Sequence, residues 1–344
     1  MIKNSRYWDL PEKERRIFRD IHTQINKVYN DAICRGLITK KTGRRYLAAL
    51  ILLGKFLVEC YHKKNLNYIE PKHIYAFIEQ AWEAGYSKSN IETTLSAIRD
   101  FYDRVRGDGA SQYLPTNDML RTELEEIGFM TRNKTDRIGK QRAWTDNEIE
   151  KMKEKAIEMG YGIYADIIEV SRAFGLRIHE AIRLTIEQIN NAKATGKLTV
   201  KGKGGLVRDI TIRNGRQIVI IDKLSSNCSK GKVFLNEYEK AHELIKKVQH
   251  FIYNNREDIQ ENIQSCEVLN RLCMAAKFDN TLNYDNAIER ANITPHGLRH
   301  TWAIEYYLEL IAAGVSDIVA RKIVSKELGH FRTEITMVYL KIQR

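Results

Sequence analysis

Apolar positions recur along most of this chain at helical spacing. From Pro11 to Arg35 an apolar stripe runs through charged residues, with Pro11 placed for a first turn and Gly36 for a stop; the pattern predicts one amphipathic helix. Leu47, Leu50, Ile51, Leu53 and Leu57 mark a second helix over 39–64, and two more follow over 71–84 and 87–106. The last of these carries Ile91, Leu95, Ile98 and Tyr102 on one side. Gly107, Asp108 and Gly109 break the stripe before a short helix over 120–127. The first 130 residues therefore read as an all-helical region.

Residues 131–143 lose the pattern. Arg132, Lys134, Arg137, Lys140 and Arg142 stand against one acid, Asp136, which predicts a basic linker and a domain boundary. Such a stretch is either solvated or lies along a phosphate backbone. From Trp144 the helical period restarts. A cap-like Thr145-Asp146-Asn147-Glu148 opens a helix to about Met159, and helices over 163–174 and 177–189 flank a break at Gly175. The period then drops to two. Residues 197–200 and 206–212 alternate like strands across Gly202-Lys203-Gly204-Gly205, a β-hairpin, and Ile218 to Ile221 reads as a third strand. Helices are predicted over 236–254, 265–276, 281–291, 296–313, 316–328 and 333–342. The expected organisation is an N-terminal helical extension (1–38), a helical domain (39–130), the linker (131–143) and a second domain (144–344).

Composition narrows the function classes. Lys and Arg number 56 against 44 Asp and Glu, a formal charge of +12, which makes nucleic acid the first candidate partner. Hydrophobic residues at 43% exclude wholesale disorder. Five cysteines, an odd number with no C-x-x-C pair, fit neither a disulfide scaffold nor a zinc ribbon and suggest a reducing compartment. The greasiest run, Leu47 to Val58, is too short to span a bilayer, and the N-terminus has no apolar leader. A soluble cytoplasmic protein with no membrane partner is expected.

Four places hold cationic or titratable groups in unusual settings. Arg177 follows the Gly175 break at a helix start, where a cation opposes the helix dipole unless an i,i+3 pair with Glu180 offsets it. The hairpin from Lys197 to Arg216 holds six basic residues and one acid, and its turn brings Lys203 to the tip. Thr294-Pro295 opens a helix whose first turn stacks His296 and Arg299, a ready anion site. Leu328-Gly329-His330 ends another helix, with Tyr339 beyond it. For each there is a plain alternative: an ion pair, a solubilising hairpin, a satisfied core histidine, an ordinary tyrosine.

Together these residue types suit displacement at a phosphodiester. Planar guanidiniums bind non-bridging oxygens bidentately, histidines move protons near neutrality, a lysine ammonium can protonate a departing alkoxide, and a tyrosine can attack once cations stabilise its oxygen. No carboxylate cluster suited to Mg²⁺ stands out, so no metal ligands are assigned.

Arg177, Lys203, His296, Arg299, His330 and Tyr339 occur in that order in the contexts GLRIHEA, GKGG, HGLRHT and LGH, with the tyrosine nine residues after His330. In this the chain resembles the tyrosine recombinase (phage integrase) family over residues 141–344. Residues 40–130 are more loosely similar to that family's helical, SAM-like core-binding domain. The resemblance implies a mainly α fold with a small antiparallel β-sheet in the catalytic domain, arranged as a two-domain, C-shaped DNA clamp. It implies a type IB-like reaction without metal, ATP or other cofactor. Tyr339 attacks the phosphate to give a 3′-phosphotyrosyl link, Arg177 and Arg299 clamp the phosphate, and Lys203 is the acid for the leaving 5′-oxygen, with Lys201 as the alternative. His296 assists proton transfer, His330 binds the phosphate, and Glu180 orients the first arginine. Arg132, Lys134, Arg137, Lys140, Arg142, Lys201 and Arg208 are expected on the DNA backbone.

The implied partners are a double-stranded DNA recombination site, a homotetramer on DNA and an accessory DNA-bending or excisionase factor, in a bacterial cytoplasm or nucleoid. The integrase of a phage or integrative mobile element is the first reading. A Xer-like chromosome-dimer-resolution recombinase and a catalytically inactive DNA-binding regulator are the alternatives. Two features depart from the family pattern. Only five residues follow Tyr339, and about ninety separate Lys203 from His296, which suggests an insertion within 223–285.

Overall fold

The computed structural model describes residues 10–124, 140–202, 205–227, 231–236, 238–278, 289–329 and 339–340. The chain divides into two units, Met1–Lys134 and Thr135–Arg344, each closed around its own apolar core.

In the first unit the apolar stripes become α1 (Glu12–Cys34), α2 (Lys40–Tyr61), α3 (Pro71–Glu83), α4 (Lys88–Arg106) and α5 (Asn117–Glu123). Thr39, Ser87 and Thr116 cap α2, α4 and α5, each side-chain oxygen accepting a backbone N–H three residues on. The stretch expected as an extension is not an appendage. Phe18, Ile21, Ile25 and Tyr29 of α1 are buried in the common core, and Ile21 packs so tightly on Gly54 of α2 that a Cβ there would stand 2.8 Å away.

The second unit comprises α6 (Asp146–Glu158), α7 (Gly162–Phe174), α8 (Ile178–Ala181), α9 (Ile186–Thr195), β1 (Lys197–Lys201), β2 (Val207–Thr211), α10 (Gly215–Asn227), α11 (Ala241–Ile259), α12 (Ser265–Ala275), α13 (Pro295–Ala312) and α14 (Asp317–Leu328). The two strands pair antiparallel, Lys197 opposite Thr211 and Lys201 opposite Val207. The fold is thus mainly α with one small antiparallel sheet. At its centre lies α13, buried without a break from Gly297 to Leu308. It is held from two sides. The Trp144 backbone N–H donates to Thr301 Oγ1 (2.8 Å) and its indole N–H to the Thr294 carbonyl (2.9 Å), while Arg172 of α7 pairs with Glu305. No helix among the described residues is long and apolar enough to cross a membrane.

Several predicted elements differ. The run Ile218 to Ile221 is not a strand but the start of α10: Ile218 and Val219 are exposed, whereas Ile220, Ile221 and Leu224 are buried, a helical spacing. The cause is local. Asn214 Oδ1 accepts the Gln217 N–H (3.1 Å) and Gln217 Oε1 accepts the Arg213 N–H (2.7 Å), a reciprocal cap that starts a helix. The helix predicted over 177–189 is two, because Thr185 and Gln188 form a capping box and restart the chain as α9. The helix over 236–254 begins and ends five residues later, as α11. Of the helix expected over 281–291, residues 279–288 lie outside the described residues; Arg290 is extended, bridged to Gln141. Of that over 333–342, only Tyr339 and Leu340 are described, and they are helical. The proposed insertion supplies core: Val248, Ile252, Val268 and Leu272 belong to the same cluster as α13.

Helix α7 ends at Gly175, whose φ of +59° lies in the left-handed region, and a Cβ there would stand 2.5 Å from the Trp302 ring. Gly196 has a similar φ of +70° with open space around it. Gly175→Ala is therefore expected to destabilise by about 2–4 kcal/mol and Gly196→Ala by only about 1–2 kcal/mol. Urea unfolding of the two variants checks this; equal losses would contradict the packing argument.

Candidate active site

Glu180 is the hub of the site. Its side chain is fully buried and its oxygens collect three arginines. Arg177, at the N-cap of α8, donates its backbone N–H to Oε2 (2.9 Å) and Nη1 to Oε1 (2.9 Å). This is the i,i+3 pair that offsets a cation at a helix start. Arg208 of β2 donates Nη1 to Oε1 (2.9 Å) and Nη2 to Oε2 (2.7 Å). Arg299 Nη1 lies 3.8 Å from Oε2. Burial alone would raise the Glu180 carboxyl, but the Arg208 hydrogen bonds and charge, with help from Arg177 and Arg299, hold it at about 2.

Helix ends hold the other faces of these arginines. Arg299 is fully buried; it donates Nη1 to the Gly175 carbonyl at the end of α7 (2.6 Å) and Nη2 to the Leu328 carbonyl at the end of α14. Arg208 donates Nε to the neighbouring Glu327 carbonyl (2.7 Å). Helix C-termini carry partial negative charge, so two helices point that charge at the guanidiniums. Burial pulls Arg299 down to about 10; Arg177 and Arg208 repel its charge, against attraction from Tyr339 and Glu180.

The first turn of α13 brings His296 to the same place. Gly297 makes this possible, because a Cβ there would collide with the Arg142 carbonyl and the Trp144 indole. His296 Nε2 lies 3.4 Å from the Tyr339 hydroxyl. The residue is exposed at the helix start, but desolvation of the ring against its neighbours, then the charges of Arg299, Arg177 and Arg142, push the imidazole down to about 4. At neutral pH it is uncharged and able to accept a proton. Tyr339 is buried, its ring near Arg299 and against His300.

The structure thus brings together Arg177, Glu180, His296, Arg299 and Tyr339. Lys203, His330, Arg132, Lys134 and Arg137 lie outside the described residues. Gly202, next to Lys203, packs on the hub: a Cβ there would stand 3.1 Å from Glu180 Oε1. Lys201 is exposed on β1, Arg142 is exposed near His296, and Lys140 pairs with Glu289 (2.6 Å). Arg208 departs from its expected place on the DNA backbone. It is 5% exposed, and its guanidinium is occupied by Glu180 and Glu327. Its sequence signal was the alternation of β2, which turns Arg208 and Ile210 inward together. His300 was missed as well; its position four residues after His296 on α13 puts it on the same face.

The arrangement joins a cationic pocket, a neutral imidazole and a phenol, which suits attack on a phosphate ester. Comparisons with known proteins point the same way. The model of the phage integrase family matches residues 143–344, and that of the phage integrase N-terminal SAM-like domain matches residues 33–106. A tyrosine recombinase XerC of Pseudomonas savastanoi pv. phaseolicola is 24% identical over 196 residues, 55% of this chain. The chain spans 61% of the length of that relative. The fold is similar to a lambda integrase dimer bound to a core site (TM-score 0.58, 15% identity, 93% of this chain and 94% of that one). It is also similar to the XerH recombinase bound to difH (0.52, 16%, 94% and 81%) and to the Tn1549 transposon integrase with circular intermediate DNA (0.53, 14%, 93% and 96%).

Two titrations test this geometry. The His296 ring protons, followed by NMR, are expected to titrate with a midpoint near 4; a midpoint at the ordinary 6.5 would contradict its desolvation and its place beside Arg299 and Arg177. For Glu180 the folded value of about 2 lies below the ordinary 4.5, so the unfolded chain takes up the proton first as pH falls. Its stabilisation is complete above pH 4.5 and drains away toward pH 2. Glu180→Gln should flatten that part of the stability–pH curve, and an unchanged slope would remove Glu180 from the hub.

Proposed function

The chain belongs to the phage integrase family, and from that membership we propose that it cleaves and rejoins DNA as a site-specific recombinase. The observation that carries the reading is the Tyr339 hydroxyl 3.4 Å from a neutral His296, beside a buried Arg299.

In the proposed step Tyr339 Oη attacks the scissile phosphorus. The phenolic proton passes to His296 Nε2, the bond from phosphorus to the 5′-oxygen breaks, and a 3′-phosphotyrosyl link forms. Lys203 supplies the proton that the leaving 5′-oxygen takes up, and His330 binds a phosphate oxygen. Arg177 and Arg299 stabilise the charge on the non-bridging oxygens, with Glu180 and Arg208 holding them in place. Attack by a 5′-hydroxyl on the tyrosyl phosphate reverses every bond change, so the energy of the broken link is kept. Arg142 and Lys201, both exposed, are assigned to the DNA backbone.

Within the family the chain is assigned to the integrases of phages or integrative mobile elements. Its partners are then a double-stranded recombination site, three further copies in a tetramer and an accessory DNA-bending or excisionase factor, all in a bacterial cytoplasm. The XerC similarity favours chromosome-dimer resolution as the second reading. Direct repeats flanking the gene support the first, and a resolution site near the replication terminus the second.

On a nicked suicide duplex of the true site, the wild type is expected to give a denaturant-resistant protein–DNA band. Tyr339→Phe should bind the duplex and give none. A band from Tyr339→Phe would assign the nucleophile elsewhere. Arg177→Lys keeps a charge beside Glu180 but loses the planar fork, and single-turnover cleavage should fall about a hundredfold. Near-normal cleavage would contradict the phosphate clamp.

A further inference from the structure

Helix α13 presents His296, Arg299 and His300 at i, i+3 and i+4, on one side of the helix. The first two have assigned work, and His300 has none. Yet its ring lies closer to Tyr339 than the His296 ring does. The His300 and Tyr339 centroids are 4.4 Å apart with planes tilted by 32°, against 5.7 Å and 62° for His296. His300 also stands edge-on to His296 at 5.3 Å, so the three rings form one cluster. His300 is 2% exposed and Tyr339 4% exposed.

One hydrogen bond to a phenol restrains its oxygen but leaves the plane of the ring free to swing. A second ring packed against it at 4.4 Å, tilted by 32°, restrains the plane. Leu340, the next residue, is fully buried. We propose that His300 is a positioning residue that holds the Tyr339 ring by close ring-on-ring packing, so that Oη stays aimed at His296 and at the phosphorus. The face of the imidazole does this, and its nitrogens carry no proton in the reaction. The proposal rests on the reading of Tyr339 as the nucleophile.

The test uses the full chain and single-turnover cleavage at saturating suicide duplex, with DNA affinity and urea unfolding measured on the same samples. His300→Phe keeps a ring and drops the nitrogens; His300→Leu keeps bulk and drops the ring. The Phe variant is expected to cleave within about threefold of wild type and the Leu variant about a hundredfold more slowly, with DNA affinity unchanged in both. A duplex with sulfur replacing the bridging 5′-oxygen needs no acid for its leaving group, and the Leu deficit should persist on it. Equal rates for Leu and Phe would reduce His300 to core filling and overturn the proposal. A slow Phe variant restored by the sulfur duplex would make His300 a proton carrier and overturn it as well.

A readout independent of any His300 variant is the ring-current shift of the His300 ring protons. It is expected in the wild type and lost in Tyr339→Leu; its absence in the wild type would overturn the ring packing. Wild type that forms no covalent product would instead overturn the nucleophile reading.

Discussion

A single buried carboxylate, Glu180, holds the second unit's site together. It faces Arg177, Arg208 and Arg299 from three different elements, α8, β2 and α13. Ions removed from water are tolerated only when their partners are complete, so no one of these groups can be deleted without stranding another. The carbonyls of Gly175, Glu327 and Leu328 complete the set from the ends of α7 and α14. The network is therefore a junction of the fold as well as a chemical site. Three guanidiniums against one carboxylate leave positive charge over, and an anionic phosphate is the partner that would neutralise it.

The same field has a second consequence. It keeps His296 uncharged by making protonation unfavourable, with desolvation of the ring as the larger cause. A histidine that would be partly charged in water is instead a neutral acceptor beside the Tyr339 hydroxyl. In the proposed reaction the cations thus act on the phosphate directly and on the Tyr339 hydroxyl through His296. Gly175 and Gly297 permit this crowding, because each lets a backbone approach an indole where a Cβ would collide.

Much of this was legible in the sequence, and the failures share a cause. The long helices were readable because their stripes are periodic and a cap such as Thr145 is local; the caps at Thr39 and Ser87 came only with the structure. The hairpin was readable from its alternation and glycine turn. Ile218 to Ile221 misled because four apolar residues fit either period, and the deciding signal was the Asn214–Gln217 cap. Arg177, Glu180, His296, Arg299 and Tyr339 could be named from local motifs. Arg208 and His300 could not be given their places, since each acts through a contact more than twenty residues away in sequence: Arg208 with Glu180, His300 with Tyr339. A basic residue in a basic hairpin looks like a DNA contact until its partner across the core is seen.

In the proposed reaction the charge gathered around Glu180 serves a phosphate attacked by Tyr339. The most direct test is to trap the protein on a nicked recombination site, digest protein and DNA, and sequence the nucleotide-bearing peptide by mass spectrometry. A 3′-nucleotide phosphate is expected on the Tyr339 oxygen and on no other residue. A nucleotide on a different side chain would contradict that assignment.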